Sequence, residues 1–339
     1  MTKKVTVIIV NWNGEKFLEQ CLAALMQQTV MPHKIIVVDN ASSDSSCEIV
    51  HQFPLVQLLK LDQNTGFARG NNLAIEIAVK DSEWIALLNP DAFAEPNWLE
   101  ELLAATECHP TFDVFGSKLI KAEYPTTLDG IGDAYHISGR VWRIGHNAHI
   151  AEYPQDKYEI FSPCAAAALY RRDALLTCNG FDEDYFCYVE DVDLGFRLRL
   201  NGYRSLFVPQ SVVYHIGSGT TGGGRSDFAT YHGHRNLVWT YIKNMPSILF
   251  WLLLPLHLLM NISTVLWLTL NGQGKVILRA KRDALLGIPK MWRKRQQIQR
   301  AKIASTKYIW QLLNKSWNMD CRRLPTCPKS PTKQPAPIK

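Results

Sequence analysis

The chain has 339 residues, of which 47% are hydrophobic and 20% charged, so a wholly disordered polymer is excluded and one large or two ordinary domains are expected. The net charge of +6 is unevenly distributed. Residues 271–339 carry 17 Lys and Arg against two acids (+15), which leaves 20 basic and 29 acidic residues (−9) in residues 1–270. This division indicates an anionic surface as the partner of the C-terminal segment and argues against nucleic-acid binding along the whole chain.

The eight cysteines include no Cys-x-x-Cys pair, which excludes a zinc ribbon and a thioredoxin-type motif, and we expect them to be reduced. Only a short apolar run, Val5–Val10, follows Lys3 and Lys4, and Asn11 interrupts it. No signal peptide is therefore predicted, and the chemistry is expected in the cytoplasm.

Short apolar runs alternate with helical patterns over the first 120 residues. The predicted strands are Val5–Val10, Lys34–Val38, Leu55–Leu59 and Trp84–Leu88, and the predicted helices are Glu15–Gln28, Phe67–Lys80 and one that Pro96 opens. This alternation predicts an α/β fold with a mostly parallel sheet covered by helices on both faces. Polar residues just after the strands are then expected at the carboxyl edge of the sheet, where such folds bind ligands.

The next stretch, residues 121–160, is predicted to be a loop-rich region rather than a separate domain. Order is expected again over Ile160–Tyr170, followed by a helix. A second helix over Asp191–Asn201 is closed by Gly202. A short strand is predicted at Leu206–Val208, and the glycine-rich loop Gly217–Gly224 follows His215.

The segment Ile248–Leu270 contains 23 residues without a formal charge, which is long enough to span a bilayer, although Pro255, His257 and Asn261 weaken that prediction. The following Lys275–Lys307 contains 11 Lys and Arg and one acid, so the positive-inside rule places it on the cytoplasmic side. Because the acidic body is also expected there, an interfacial or re-entrant segment is favoured over a single crossing.

Val276–Trp292 is predicted to be a basic amphipathic helix lying on anionic headgroups. The alternative is a buried core helix with a solvated charged face. Residues 318–339 are rich in Pro and Lys towards their end and are predicted to be a disordered tail.

Two polar groups follow the second and third predicted strands. Asp39 ends the second strand and could accept a hydrogen bond from a nucleobase, or it could only cap the next helix. The turn at residues 64–72 leads into a helix, so its backbone N–H groups and Arg69 could bind an anion. The alternative is a generic glycine turn, since neither common phosphate-loop pattern is matched.

Two further groups are acidic. Asp91, in Asn89-Pro90-Asp91 after the fourth strand, could hold a divalent cation or merely cap a turn. Carboxylates cluster between Asp182 and Asp193, and they could accept protons, bind sugar hydroxyls or face a cation. Capping by the helix dipole explains one or two of them.

For two basic residues the sequence leaves both a functional and a structural interpretation open. His215 is either a metal ligand or a structural histidine. Arg235 could pair with phosphate or lie on a helix surface.

Taken in order, five stretches resemble the family 2 glycosyltransferases of the GT-A fold, a Rossmann-like sheet flanked by helices. The similarity is to the rhamnosyltransferase-like branch that builds bacterial surface polysaccharides, and it covers roughly residues 5–245. The stretches are VTVIIVNWN at 5–13, VVDNASSD at 37–44, NTGFARGNN at 64–72, LLNPDA at 87–92, and GFDE at 180–183 with YVEDVDL at 188–194.

The resemblance implies a role for each matching residue. Asp191 would be the general base, with Glu190 beside it on donor or acceptor hydroxyls. Asp91 would be the metal-binding acid of the family's DxD motif, whose first position is Asn89 here, and His215 would complete a site for Mg²⁺ or Mn²⁺. The residues that would bind the nucleotide sugar are Asn11, Asp39, Asn40, Gly66, Arg69, Asn89 and Asp91.

The resemblance also implies a division of the chain and an activity. Residues 1–245 would be the catalytic domain and residues 246–310 the membrane-associating region. The expected reaction is an inverting, metal-dependent transfer of one sugar to a lipid-linked or cell-surface polysaccharide acceptor at the cytoplasmic face of the plasma membrane. The donor expected first is dTDP-rhamnose, with UDP-sugars next. A non-catalytic, membrane-bound sugar-nucleotide scaffold is the alternative that the Asn89 departure favours.

Overall fold

The computed structural model of the chain describes residues 3–153, 156–217 and 226–316. Its first part is the predicted alternation of strands and helices. The elements are β1 (Val5–Asn11), α1 (Glu15–Met26), β2 (Lys34–Asp39), α2 (Ser46–His51), β3 (Val56–Lys60), α3 (Gly66–Ala78) and β4 (Trp84–Leu88). The four strands pair in parallel in the order β3-β2-β1-β4.

Both faces of this parallel part are buried, as continuous apolar runs predict. Val7 and Ile9 of β1 pack in the core beneath α1, whereas Ile8 and Val10 face the opposite core with Ala74 of α3. Alternate residues of one strand thus serve two layers of helices.

The second part extends the sheet. Its elements are β5 (Ala92–Ala94), α4 (Trp98–Cys108), β6 (Val114–Lys121), β7 (Tyr124–Gly130), β8 (Asp133–Tyr135), β9 (Val141–Arg143), β10 (Tyr158–Ile160), β11 (Ala167–Arg171), α5 (Arg172–Thr177), α6 (Glu190–Leu200) and β12 (Ser205–His215). The sheet runs β10-β12-β6-β11-β4-β1-β2-β3, with β5 on β12 and β7 on β6. β11 lies antiparallel between β4 and β6, so the sheet is mixed but mostly parallel.

Three local predictions need correction. Residues 121–160 contain four strands, β7, β8, β9 and β10, joined by turns, so this stretch is more regular than the predicted loop-rich region. The strand predicted at Leu206–Val208 extends over all of β12, with a bulge between Val208 and Val212 that disturbs the alternation. Pro96 lies two residues before α4, whose N-cap is Asn97. The loop at Gly217–Gly224 lies, except for Gly217, outside the described residues.

The C-terminal part is helical. It consists of α7 (Asp227–Asn244), α8 (Ser247–Leu268), a kinked turn, α9 (Gly274–Leu286), α10 (Ile288–Ala301) and α11 (Thr306–Leu312). The segment Val276–Trp292, predicted to be one helix, is helical but divided at Gly287 between α9 and α10. A Cβ there would lie 2.7 Å from the indole ring of Trp239. The tail predicted for residues 318–339 lies outside the described residues.

The C-terminal helices share a core with the preceding sheet domain. Ala284 of α9 and Met291 of α10 pack in one cluster with Tyr185, Phe196 and Ile242. Residue 246 therefore marks a change in composition and not a border between separately packed units.

Charge pairs join the same two parts. Lys243 of α7, whose side chain is fully buried, contacts Asp182 and lies 2.8 Å from Asp193. Lys294 of α10 contacts Asp182 and lies 2.7 Å from Asp184. Three acids of the cluster between Asp182 and Asp193 are thus compensated by lysines far along the chain, which helix capping alone did not predict.

These pairs give a pH-dependent stability. Burial alone would raise the pKa of Asp182, but Lys243 and Lys294 outweigh it and hold the pKa below its usual value. Such a carboxylate stabilises the fold above its unfolded pKa of about 4 and loses that contribution as the pH falls towards its folded pKa. We expect Lys294→Met to lower the free energy of unfolding by about 2 kcal/mol at pH 7 and by less at pH 3, measured by urea titration.

Lys290→Met is the matched control. Lys290 is 62% exposed and contacts only Asp184 of these acids, at 2.6 Å. Its loss should cost about 0–1 kcal/mol, as for a surface ion pair. A Lys294→Met penalty that stayed the same at both pH values would contradict the assignment of this energy to the carboxylates.

Candidate active site

Asp39 and Asn11 lie side by side where β2 and β1 end, because the two residues are register partners. Asp39 Oδ1 accepts from Asn11 Nδ2 at 3.1 Å and from Ser42 Oγ at 2.5 Å, and Oδ2 accepts from the Ser42 amide at 3.0 Å. Asp39 is only 1% exposed. Its carboxylate is thus held rigidly, and Oδ2 keeps a further lone pair for a donor such as a nucleobase N–H.

Asn40 organises the next turn. Its Oδ1 accepts from the amide of Thr65 at 2.9 Å, and its Nδ2 donates to the carbonyl of Gly66 at 3.0 Å. The Gly66 amide in turn donates to Asn64 Oδ1 at 2.9 Å, and the Ala68 amide donates to the Phe186 carbonyl at 3.2 Å. The amides of Thr65, Gly66 and Ala68 are therefore used within the protein, and anion binding by this turn stays a prediction.

The rest of this motif packs against the segment that precedes α6. Gly66 has φ +84°, and a Cβ there would lie 2.6 Å from the Phe186 carbonyl oxygen. Arg69 lies 2.9 Å from Glu183, and Asn72 bonds the backbone of Phe181. A cleft of about 630 Å³ lies beside this contact, lined by Leu61, Asp62, Gln63, Asn64, Thr65, Arg69, Leu73 and Phe186.

Asp91 and His215 meet because β5, which follows Asp91, pairs with the end of β12. His215 Nε2 lies 3.3 Å from Asp91 Oδ1, and His215 Nδ1 lies 2.8 Å from Asp129 Oδ2. Asn89 Nδ2 is 3.4 Å from the same Nε2. Burial would lower the pKa of His215, but its hydrogen bonds to Asp129 and Asp91 raise it to about 9.

This arrangement fits a divalent cation. Asp129 fixes one imidazole nitrogen and leaves Nε2 directed at Asp91, which is the usual arrangement of a carboxylate behind a metal-binding histidine. Mg²⁺ and Mn²⁺ commonly combine few protein ligands with phosphate oxygens and water. Within the described ranges no group of three or more His, Cys, Asp or Glu could hold a metal by itself. Phosphate oxygens would therefore have to supply further ligands.

Glu190 and Asp191 open α6 near the Asp91–His215 pair. Asp191 Oδ2 accepts from the Ala165 amide at 3.3 Å, next to Ala166, whose carbonyl accepts from the Asn89 amide at 2.9 Å. Burial raises the pKa of Asp191, and Arg143 offsets this only in part. Burial and the charge of Asp191 raise the pKa of Glu190 well above its usual value.

Arg143 of β9 connects the group around Asp129 with the group around Asp191. It lies 2.8 Å from Asp129 and 3.8 Å from Asp133, and its charge also acts on Asp191. Burial, with the nearby charge of Asp191, raises the pKa of Asp133 to about 8. A continuous set of charged groups thus runs from Asp91 to Asp191 along one edge of the sheet.

Sequence reasoning missed Asp129, Asp133 and Arg143, because they belong to β7, β8 and β9, in the region predicted to be loops. The sequence did contain a signal for these residues, because two acids and an arginine lie in a stretch rich in glycine and aromatic residues. Arg235 of α7 is half-buried, and its guanidinium donates to the backbone carbonyls of Asp184 and Tyr185 at 3.1 and 3.0 Å, contacts that the sequence did not predict.

Comparison with known proteins agrees with this geometry. Residues 6–177 match the family model described as glycosyl transferase family 2. The N-acetylglucosaminyl-diphospho-decaprenol L-rhamnosyltransferase of Mycobacterium tuberculosis is 30% identical over 255 residues, covering 68% of this chain and 82% of that protein. The O-antigen biosynthesis protein RfbC of Myxococcus xanthus is 26% identical over 63% of this chain and 17% of its own length.

Solved structures share the fold. A structure of GalNAc-T7 with UDP, GalNAc and Mn²⁺ aligns with a TM-score of 0.57 at 17% identity, over 71% of this chain and 48% of that one. The mannosyltransferase PcManGT from Pyrobaculum calidifontis, with GDP-Man and Mn²⁺, aligns with a TM-score of 0.53 at 17% identity, over 91% and 88%. These likenesses confirm the GT-A type of sheet that the sequence predicted.

Asp129 is open to a direct test. We expect Asp129→Asn to weaken Mn²⁺ binding in the presence of UDP by roughly 10- to 100-fold, because the His215 ring loses the partner that orients it. Electron paramagnetic resonance of free Mn²⁺ measures this. Asp133→Asn is the matched control, since Asp133 belongs to the same cluster and lies 3.8 Å from Arg143, whereas the acids beside His215 are Asp91 and Asp129. Equal affinities in both variants would show that Asp129 does not support a metal ligand.

Proposed function

The chain belongs to glycosyl transferase family 2, and from this we propose that it transfers a single sugar from a nucleotide-sugar donor, with inversion and with a divalent metal. The observation that carries the proposal is the joint placement of the Asp91–His215–Asp129 array and the buried Glu190 and Asp191 at one edge of the sheet. A nucleoside diphosphate and a proton acceptor are needed at the same place for this reaction.

Each residue of the site has a separate role in the proposed reaction. Asp191 takes the proton of the acceptor hydroxyl, and its raised pKa makes it a stronger base than an exposed aspartate. The amides of Ala165 and Val192 orient its two oxygens. Glu190, only 6% exposed, lies beside it on the sugar hydroxyls. A Mg²⁺ or Mn²⁺ ion held by Asp91 and His215 would offset the charge that develops on the leaving diphosphate.

The nucleotide part of the donor is held at the end of β2 and at the turn before α3. Asp39 offers Oδ2 to the nucleobase, and Asn40 keeps the turn before α3 in place. The Mycobacterium tuberculosis relative is named as a rhamnosyltransferase with a lipid-linked acceptor. This name supports dTDP-rhamnose as the first donor to test, with UDP-sugars next, and a prenyl-diphosphate-linked sugar as the acceptor.

We further propose that the enzyme works at the cytoplasmic face of a membrane, with residues 246–310 as the membrane-associating region. α8 is long and apolar enough to cross a bilayer. One side of it is buried on the protein, where His257 stacks on Tyr241 with ring centres 3.9 Å apart and bonds the Ser138 carbonyl at 2.8 Å. A helix packed in this way along its first half lies in the interface and does not cross.

The other side of α8 is apolar and exposed. Six side chains on this face are between 59% and 72% exposed, namely Ile248, Trp251, Leu252, Leu259, Ile262 and Leu266. α9 continues the surface with exposed Leu278 and Leu285 beside Arg279 and Arg282. Apolar side chains next to cations match the acyl and anionic headgroup layers of a bilayer.

The central test is a transfer assay with each donor and a short-chain prenyl diphospho-N-acetylglucosamine acceptor. We expect product with a nucleotide sugar and Mn²⁺ and none after chelation with EDTA, and we expect NMR of the linkage to show the anomer opposite to the donor's. Tight donor binding without product, for every donor, would favour the non-catalytic scaffold instead.

Asp191→Asn tests the base. We expect kcat to fall by about 10²–10⁴-fold while the Kd for the donor stays the same, because the lost group acts on the acceptor proton. Asp173→Asn is the matched control, since Asp173 is an acid in the first turn of α5 with a 67% exposed side chain. Undiminished kcat in Asp191→Asn would remove the base assignment.

The membrane face is tested by Leu252→Glu with Leu259→Glu. We expect the double variant to bind vesicles of phosphatidylglycerol and phosphatidylethanolamine more weakly by on the order of 100-fold. Leu55→Glu with Leu176→Glu is the control, at side chains 68% and 49% exposed on the sheet domain. Alkaline carbonate should release the wild-type protein from membranes, and retention after that wash would indicate a crossing helix.

A further inference from the structure

The segment Tyr185–Val189, which leads directly into Glu190, has an unusual backbone. Phe186, Tyr188 and Val189 have φ of 64°, 68° and 68°. Positive φ is rare for any residue with a side chain and is an outlier for a β-branched one such as Val189. At Phe186 the Cys187 amide bonds the Tyr185 carbonyl at 2.7 Å, which makes a γ-turn of the rare positive-φ type. Such a segment persists only where its surroundings hold it.

Two neighbouring side chains of α7 hold this segment by its carbonyl groups. Asn236, which is fully buried, directs Nδ2 at the carbonyls of Tyr185, Cys187 and Tyr188, at 3.0, 3.0 and 2.8 Å. Arg235 bonds the Tyr185 carbonyl as well, at 3.0 Å.

The two side chains act as a unit, because Arg235 Nε also donates to Asn236 Oδ1 at 3.0 Å. This bond determines which way the amide of Asn236 faces, so its N–H groups are directed at the segment. We call Arg235 and Asn236 the carbonyl clamp.

The segment connects the cleft to the start of α6. The Phe186 carbonyl accepts from the Ala68 amide at 3.2 Å and lies against Gly66, and Phe186 lines the cleft on the donor side. At the other end, Val189 is the N-cap of α6, and its carbonyl accepts from the Asp193 amide at 2.9 Å. The conformation of this segment therefore sets where the donor-side wall ends and where Glu190 and Asp191 begin.

We propose that Arg235 and Asn236 are positioning residues that hold Tyr185–Val189 in its strained form and so place Glu190 and Asp191 against the bound donor. The proposal rests on the proposed sugar transfer. Without the clamp, the carbonyls of Tyr185, Cys187 and Tyr188 lose the donors that α7 supplies. The segment is then free to return to negative φ, which carries the start of α6 away from the donor-side wall. Neither clamp residue touches substrate in this role.

Asn236→Ala is the main test, with dTDP-rhamnose and the prenyl diphospho-N-acetylglucosamine acceptor as probes. We expect kcat to fall on the order of 10- to 100-fold, as for a small misplacement of reacting groups, with the KM for the donor nearly unchanged. We also expect the acid limb of the pH–rate profile to move, because the surroundings of Glu190 and Asp191 change. Arg235→Met should act in the same direction, and Arg235→Lys should restore part of the rate.

Ile242→Ala is the matched control for a loss of stability. Ile242 is a buried apolar residue of the same helix, six residues beyond Asn236, and its side chain gives no hydrogen bond to the segment. It should lower the melting temperature while kcat and the pH profile stay those of the wild type. An Asn236→Ala protein with the same behaviour as Ile242→Ala would overturn the proposal and leave the clamp a purely structural role.

Hydrogen exchange separates this inference from the sugar-transfer proposal. In Asn236→Ala we expect faster amide exchange in residues 186–191 than in the wild type, and no such local change in Ile242→Ala. Unchanged exchange there would also overturn the clamp. If the wild type transfers no sugar, the proposed reaction fails, while this measurement still decides whether Asn236 holds the segment. Should Asn236→Ala not fold, Arg235→Met is measured in its place.

Discussion

Burying a carboxylate costs several kcal/mol unless a cation or several hydrogen-bond donors compensate its charge. The charged side chains at the edge of the sheet where the site lies are arranged to provide this compensation. His215 lies between Asp91 and Asp129, and Arg143 lies between Asp129 and the acids beyond it. Where the compensation is complete, as for Asp129, the pKa falls far below its usual value. Where it is incomplete, as for Glu190 and Asp191, the pKa rises, and these are the carboxyl groups able to take a proton.

The same constraint ties the C-terminal helices to the candidate site. Lys243 and Lys294, together with Arg197 and Lys290, compensate the charges of Asp182, Asp184 and Asp193, the acids on either side of Glu190 and Asp191. Residues of α7, α9 and α10 pack with Tyr185 and Val192 in one core, so the C-terminal helices support the start of α6. A region that by composition resembles a membrane anchor is also part of the framework of the candidate site.

Family membership and the fold are settled by the match of residues 6–177 and by the mixed, mostly parallel sheet. The geometry of the candidate site adds detail that family membership alone does not give. Asn89 in place of an acid leaves Asp91 as the only carboxylate of the tripeptide Asn89-Pro90-Asp91, and His215 lies between Asp91 and Asp129. In the proposed site, His215 would supply the ligand that Asn89 does not, from β12, which is remote in the chain.

The sequence alone determined the parallel half of the fold, because β1, β2 and β4 are continuous apolar runs and helical periods follow β1, β2 and β3. It also singled out Asp39, Asp91, Glu190 and Asp191 as candidates, since acids directly after buried strands or at a helix start stand out locally, whereas the metal role of His215 was implied by the resemblance. Only the tertiary structure showed that β7, β8 and β9 bring Asp129, Asp133 and Arg143 to the same edge. β7 pairs with β6, its neighbour in the chain, but β6 pairs with the distant β12. The neutralisation of a buried charge likewise depends on which cation lies within a few ångströms in space, which no local pattern records.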